Sequence, residues 1–450
     1  MTDTPNLGQS AQPGQPVRAV LVGAGHRGVL YSRYSQVAPG ELAITAIVEP
    51  DPIRRARWGD EFGIPESARF ASLDDLPPAG VIAEAAINAT MDPDHVVTAK
   101  QLLAGGYHVL LEKPIAQNAV DLLDLQAAQE RAGTTLMICH VLRYAPFYLE
   151  AKRLVAEGAI GEPLTIEMAE HVSYDHMALA YVRGRWGNSE RSGSSILLAK
   201  CSHDLDLMTW LCNAAPPARV ASAGSRGMFI PARKPAGAGT RCLSDCAIER
   251  TCPYSAGRLY LDLEKWGEYV WEQAEHLGPE LTLEQKQESL RTNNRYGTCV
   301  WGNDNDVMDR QALTVEFEDG VVGSFTLATN SPASSRTLTV IGTTGEIHGA
   351  LESGELRVRR LTSDPTQAYL EEIHRIGVKG DMHGGGDHGL VADFVRVIRG
   401  EPASASTTQL ADSINGHLLV FAAEEARKAG GWVTLADLTA SNEPDPERQG

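Results

Sequence analysis

The residues Ala199-Lys200-Cys201-Ser202-His203-Asp204-Leu205-Asp206 open a segment patterned as a helix through Trp210 and Leu211, and they concentrate groups that move protons. An imidazole near pKa 6.5 can take a hydroxyl proton at neutral pH. Residues three apart share a helix face, so Asp206 is expected to orient or polarise the His203 ring. Arg183, Arg185 and Arg191, with Trp186, precede this segment. Arginine forks fit acidic groups and aromatic faces stack on sugars, so this loop is expected to line a sugar or anion pocket. A further candidate is Met382-His383-Gly384-Gly385-Gly386-Asp387-His388-Gly389. Two histidines around three glycines could close over a substrate, with Asp387 capping the helix that follows.

Cysteines form another group. Cys242, Cys246 and Cys252 lie within eleven residues and Cys299 follows a Trp-rich stretch. Four thiolates suit a tetrahedral structural Zn²⁺, which would staple an inserted segment, about 230–305, that has little core of its own. Reduced thiols are the alternative. Seven cysteines in a chain without a secretory leader argue against a disulfide framework.

These groups need a scaffold, and the N-terminal pattern supplies one. Val17 to Val22 reads as a buried strand running into Gly23-Ala24-Gly25-His26-Arg27-Gly28, with a helical pattern from Val29 to Val37. In a GxGxxG turn so placed, Gly23 turns the chain, Gly25 admits a pyrophosphate to the backbone and Gly28 lets helix and strand pack. A second strand, Ala43 to Val48, ends in Glu49, where an acid is expected to accept from the adenosine ribose hydroxyls. A carboxylate there repels a 2′-phosphate, which favours NAD; Arg27 and Arg54 leave NADP open. Strands Val81 to Ala89 and Tyr107 to Leu111, with a helix from Asp94 to Ala104 between them, continue the βα alternation up to Glu112-Lys113-Pro114.

The turn, Asn88-Ala89-Thr90, His95, Gly105-Gly106 and Glu112-Lys113-Pro114, in this order, resemble the Gfo/Idh/MocA oxidoreductases. Gly158 to Pro163 and Gly342 to Ile347 fit that family's second domain, so the resemblance covers most of residues 17 to 435. It implies that Lys113 binds substrate or acts as acid or base beside the nicotinamide, with Glu112 placing it and the bond before Pro114 often cis. It further implies that His26, Arg27, Asn88, Thr90 and His95 belong to the cofactor site, that Arg143 and Tyr144 join the substrate site, and that His203 and Asp206 are the family's His and Asp. In the commoner pattern an aspartate stands four residues before the histidine, and here that place is Ala199. Lys200 is then expected to act with Lys113, either lowering the other's pKa or binding an acidic sugar.

At 450 residues the chain is long enough for two domains. The reading is a leader (1–16), a doubly wound parallel Rossmann domain (17–145), an α+β substrate and oligomerisation domain with a mostly antiparallel sheet (146–435), and a tail (436–450). A net charge of −18 argues against nucleic-acid binding. No apolar run is long enough for a membrane span, no basic-then-apolar leader is present, and a cytoplasmic homo-oligomer is expected. The expected activity is NAD-dependent hydride transfer to or from a secondary alcohol of a sugar, cyclitol or sugar derivative. The resemblance leaves open a glycosidase that oxidises, eliminates, adds water and re-reduces on recycled NAD, and a non-catalytic dinucleotide binder.

Overall fold

The computed structural model describes residues 14–212, 215–278, 280–377 and 383–440. Most of the expected leader and tail, and Met382 of the glycine-rich segment, lie outside these residues.

Six parallel strands form the first sheet: β1 (Val17–Val22), β2 (Leu42–Val48), β3 (Arg69–Phe70), β4 (Ala85–Asn88), β5 (His108–Leu111) and β6 (Leu136–Ile138). Their order is β3-β2-β1-β4-β5-β6, so the order reverses between β1 and β4. At such a switch point the carboxyl ends of the strands open a crevice for ligand. β1 and β4 are apolar but for Arg18 and Asn88 because helices cover both faces of a parallel sheet.

The second sheet has nine strands: β7 (Pro163–Ser173), β8 (Pro217–Ser225), β9 (Arg310–Phe317), β10 (Val322–Ser331), β11 (Ser335–Gly342), β12 (Gly345–Ala350), β13 (Glu355–Leu361), β14 (Tyr369–Arg375) and β15 (Trp432–Thr434). They run in the order β14-β13-β12-β11-β7-β10-β9-β8-β15, and only the β7 and β10 pair is parallel. Along β7 the residues Ile166, Met168, Glu170 and Val172 are buried in alternation, as period-2 geometry requires of a strand with one packed face. Between β8 and β9 the chain leaves the sheet for an insertion of short helices and turns. It has its own small core, built on Leu259, Tyr260, Val270, Leu290 and Tyr296.

A buried polar joint holds the two sheets in register. Just after β6, Arg143 donates through Nε and Nη2 to both Asp206 oxygens at 2.7 and 2.6 Å, and Nη2 also reaches the Asp412 carbonyl at 3.0 Å. His417, on the helix Leu410–Ala429, accepts the Ile115 N–H at Nε2, 2.9 Å away. Burial, with His140 adding, lowers the His417 pKa to about 3, so the ring is a neutral acceptor.

Two outcomes are expected. Arg143→Met leaves the Asp206 carboxylate buried without its cation and should lower unfolding free energy by about 3–5 kcal/mol in denaturant titrations. His417 must gain a proton on unfolding at acid pH, so its contribution is complete above about pH 6.5 and is lost progressively as pH falls toward 3. His417→Gln, which keeps an acceptor, should flatten the stability profile over that window by one proton.

Candidate active site

The glycine turn leaves β1 at the switch point. Gly23 has φ +81°, and a Cβ there would lie 2.6 Å from the Ala89 carbonyl oxygen; a Cβ on Gly28 would lie 2.4 Å from the Gly23 oxygen. Gly25 is different: its backbone is extended and its Cβ position has no atom within 4 Å. The turn is therefore tight against the sheet at its ends and open in the middle, a cradle that fits a dinucleotide pyrophosphate. Glu49 is buried, and its carboxylate accepts from Ala24 N at 2.7 Å and from Asp51 N at 2.9 Å. It brackets the turn to the end of β2 while keeping lone pairs for ribose hydroxyls. Arg54 pairs with Glu272 and Glu275 of the insertion, at 2.8 and 2.7 Å, and Arg27 pairs with Glu112 and Asp387, at 2.9 and 2.6 Å. Neither arginine is left to receive a 2′-phosphate. His26 packs its ring 5.1 Å from Tyr269, also of the insertion.

Past β4, Asn88 accepts from the Thr90 hydroxyl and donates to Thr98. His95 reaches the Pro114 carbonyl through Nδ1 at 2.7 Å and the Thr90 carbonyl through Nε2 at 3.1 Å. These side chains shape the loops around the crevice. The Lys113-Pro114 bond is cis. Glu112 accepts from Arg27, Tyr31 and the Lys113 N–H, fixing the backbone of the lysine. Burial raises the Glu112 pKa, but Arg27 and Lys113 outweigh it and the carboxyl stays below its ordinary range.

Lys113 crosses to the second domain, where Nζ donates to the Ala199 carbonyl at 2.7 Å. Burial, with Lys200 adding, lowers its pKa against the pull of Glu112 and Asp92. Buried His203 has a pKa far below the ordinary value through burial, then Lys113 and His383, and its Nδ1 has no hydrogen-bond partner among the described residues. The His383 ring lies 5.6 Å from it and is lowered to about 4 by burial and Arg27. His176 is held neutral by burial and by Lys200, with Tyr181 5.7 Å away. Lys200 lies 3.4 Å from Glu170, and Arg336 bridges Glu170 and Asp204 at 2.6 and 3.0 Å. Burial pushes the Asp204 carboxyl up to about 6, against Arg336. The crevice thus holds a largely buried amine, neutral imidazoles and a cation system already balanced by carboxylates.

Two family models match the chain: "Oxidoreductase family, NAD-binding Rossmann fold" over residues 17–140, and "Oxidoreductase family, C-terminal alpha/beta domain" over residues 152–435. The chain belongs to the Gfo/Idh/MocA oxidoreductases. It is 23% identical over 365 residues to the Bacillus subtilis protein YteT, named an oxidoreductase, covering 78% of this chain and 81% of the relative. It is 29% identical to the inositol 2-dehydrogenase of Leifsonia xyli over 48% of this chain and 56% of that enzyme, so this match spans about half of either chain. Among solved structures, an oxidoreductase from Agrobacterium radiobacter with NAD⁺, L-tartaric acid and magnesium matches with TM-score 0.66 and 18% identity. Levoglucosan dehydrogenase with NADH and levoglucosan matches with TM-score 0.67 and 19% identity. Each covers 94% of this chain and all of the other. The fold is that of NAD-binding oxidoreductases.

Against that family frame, several sequence expectations need correction. Asp206 faces Arg143, and His140 at 3.6 Å, so it joins the domains instead of orienting His203. Arg143 is accordingly an interior ion-pair partner, and Tyr144 donates to buried Asp393. Arg183 is buried on the Thr298 and Tyr254 carbonyls, Arg185 pairs with Glu272, and Trp186 donates to Asp92. Each of these three is engaged by protein partners. His388 is exposed, with its ring 5.9 Å from Tyr34, away from His203. Among the described residues no group of three or more His, Cys, Asp or Glu is spaced to grip one metal ion, and all seven cysteines are free, so a structural zinc is not supported. No helix among the described residues is long and apolar enough to cross a membrane.

The sequence reading missed Glu170, Arg336, His176 and Tyr181. Two carried a signal: Glu170 stands in the buried phase of β7 and Arg336 in the buried phase of β11, charges where the alternation calls for apolar residues. Filling the cradle tests the site. Gly25→Val should leave thermal stability unchanged yet weaken NAD more than tenfold by calorimetry, a loss above about 1.4 kcal/mol. Gly28→Ala should instead lower the melting temperature, because its Cβ meets backbone.

Proposed function

We propose that this protein is an NAD-dependent dehydrogenase of a neutral polyol, oxidising a secondary alcohol of a sugar or cyclitol or reducing the matching ketone. The observation that carries this is the convergence of Lys113 and His203 at the carboxyl end of β5, both largely buried and both biased toward their neutral forms. An inositol 2-dehydrogenase and a 1,5-anhydro-D-fructose reductase among the relatives support the substrate class.

NAD, held on the glycine turn, supplies the hydride acceptor. A substrate hydroxyl would donate to His203 Nδ1, whose lack of a partner among the described residues costs about 1–3 kcal/mol unless a ligand donates to it. Lys113, anchored on the Ala199 carbonyl, holds the same oxygen from the other side, and one of the two receives the proton as the carbonyl forms. Lys200 and Arg336 are matched by Glu170 and Asp204, so the site offers little surplus positive charge to a carboxylate. This favours a neutral substrate over the acidic sugar that Lys200 suggested.

The insertion favours a second reading. Its contacts with His26 and Arg54 lie over the dinucleotide turn, which suits a cofactor retained through redox-neutral glycoside cleavage.

The test is a panel of neutral cyclitols, sugars and glycosides with NAD. Steady NADH formation from a free polyol is the expected result, and Lys113→Met should lower kcat by at least about 100-fold with little change in NAD affinity. Glycoside hydrolysis without NADH accumulation would select the second reading. Full activity in both Lys113→Met and His203→Asn would overturn the assignment of these residues.

A further inference from the structure

The tip of the insertion meets the Rossmann domain beside Glu49, where the phosphorylated and unphosphorylated dinucleotides are told apart. A carboxylate at the end of the second strand suits free ribose hydroxyls, whereas an arginine near it receives a 2′-phosphate. This chain has both groups. Arg54 stands in the first turn of the helix Pro52–Glu61, next to the Glu49 strand end. Burial lowers the Arg54 pKa, but Glu275, Glu272 and Glu49 together hold it above its ordinary value, so these carboxylates are all within electrostatic reach of the guanidinium.

Two of those carboxylates come from the insertion. Arg54 Nη2 pairs with Glu272 at 2.8 Å and Nε donates to Glu275 at 2.7 Å. Glu272 is fixed in turn by Arg185, at 2.7 Å. The three side chains of the Arg54 cluster are 22 to 28% exposed, so solvent screens them less than a surface pair. The other anion-binding groups nearby are also engaged. Asp51 accepts from the Ile53 and Arg54 N–H groups and closes the helix N-terminus, and Arg55 turns back onto the Glu49 and Pro50 carbonyls. A 2′-phosphate carries about two negative charges at neutral pH. It would meet the charge of Glu49, Glu272 and Glu275 and would have to win Arg54 from the last two.

We propose that Glu272 and Glu275 set the dinucleotide choice: they occupy Arg54, the cation beside the ribose-binding carboxylate, and add negative charge there, so that NADP is refused. Selection is then made by a segment of the second domain reaching across to the first. Specificity of this kind comes from a repulsive element as well as an attractive one. The proposal rests on the reading that the glycine turn binds a dinucleotide.

Calorimetry of the full chain with NAD and with NADP tests it without a substrate. The parent should bind NAD at least about tenfold more tightly than NADP. Glu272→Gln with Glu275→Gln keeps the shape of the contacts and removes both charges. This double variant should narrow the ratio of the two Kd values by at least about tenfold, chiefly by tightening NADP, and adding Arg54→Gln should cancel the gain. Should the double variant melt well below the parent, Glu275→Gln alone, which leaves the Glu272 contact with Arg185, should still narrow the ratio by about threefold. Glutamates that only fasten the insertion would, when replaced, weaken both nucleotides alike; an unchanged ratio in a parent that prefers NAD therefore overturns this proposal and leaves the cofactor reading intact. A gain that survives Arg54→Gln overturns the role given to Arg54, and a parent that binds NADP as tightly as NAD overturns the proposal outright. A parent that binds neither nucleotide overturns the cofactor reading itself.

Discussion

A guanidinium taken out of water is costly unless its charge and N–H groups are met, and the site of this protein is organised around one that carboxylates meet. Arg27, in the glycine turn, is held by Glu112 at the end of β5 and by Asp387 on the helix Gly386–Ile398, with Tyr31 as a further partner. The partners stand 85 and 360 residues away in the chain. The same Glu112 accepts the N–H of Lys113, and Asp387 contacts His383, which faces His203. One ionic knot thus sets the distance between the dinucleotide turn, the lysine and the imidazoles, and it forms only when both domains are in place.

The Rossmann half was largely legible in the sequence because its constraints are local. β1, the glycine turn and the end of β5 fall where apolar runs and turn residues put them, and the glycines do what their spacing implies. The second domain was legible in outline only. A helical spacing of three says that His203 and Asp206 share a face, but not which of two neighbours each prefers, and Arg143 takes Asp206 through contacts 63 residues distant. Arg183, Arg185 and Trp186 looked like pocket residues because long polar side chains carry no mark distinguishing a ligand site from an interior hydrogen-bond frame. Glu170 and Arg336 were recoverable from strand phase, and Tyr181 and His176 were not, since they lie in an irregular helical stretch without a clean period.

The insertion departs most from a plain two-domain plan. Its own apolar cluster is small, so its position depends on polar anchors at both ends: the cysteine-lined root near Arg183, and the tip where Tyr269, Glu272 and Glu275 meet His26 and Arg54. Trp266 adds a middle anchor, donating to Asp175 and lying 4.7 Å from His176.

A nine-stranded open sheet leaves two borders where another chain could zip on by main-chain hydrogen bonding. At one border β14 displays Glu371, Glu372 and Arg375, charges that would be stranded by an incoming strand; at the other β15 offers only three residues. Charged side chains on one margin and the shortness of the other are the features by which open sheets resist fibrillar growth by edge addition.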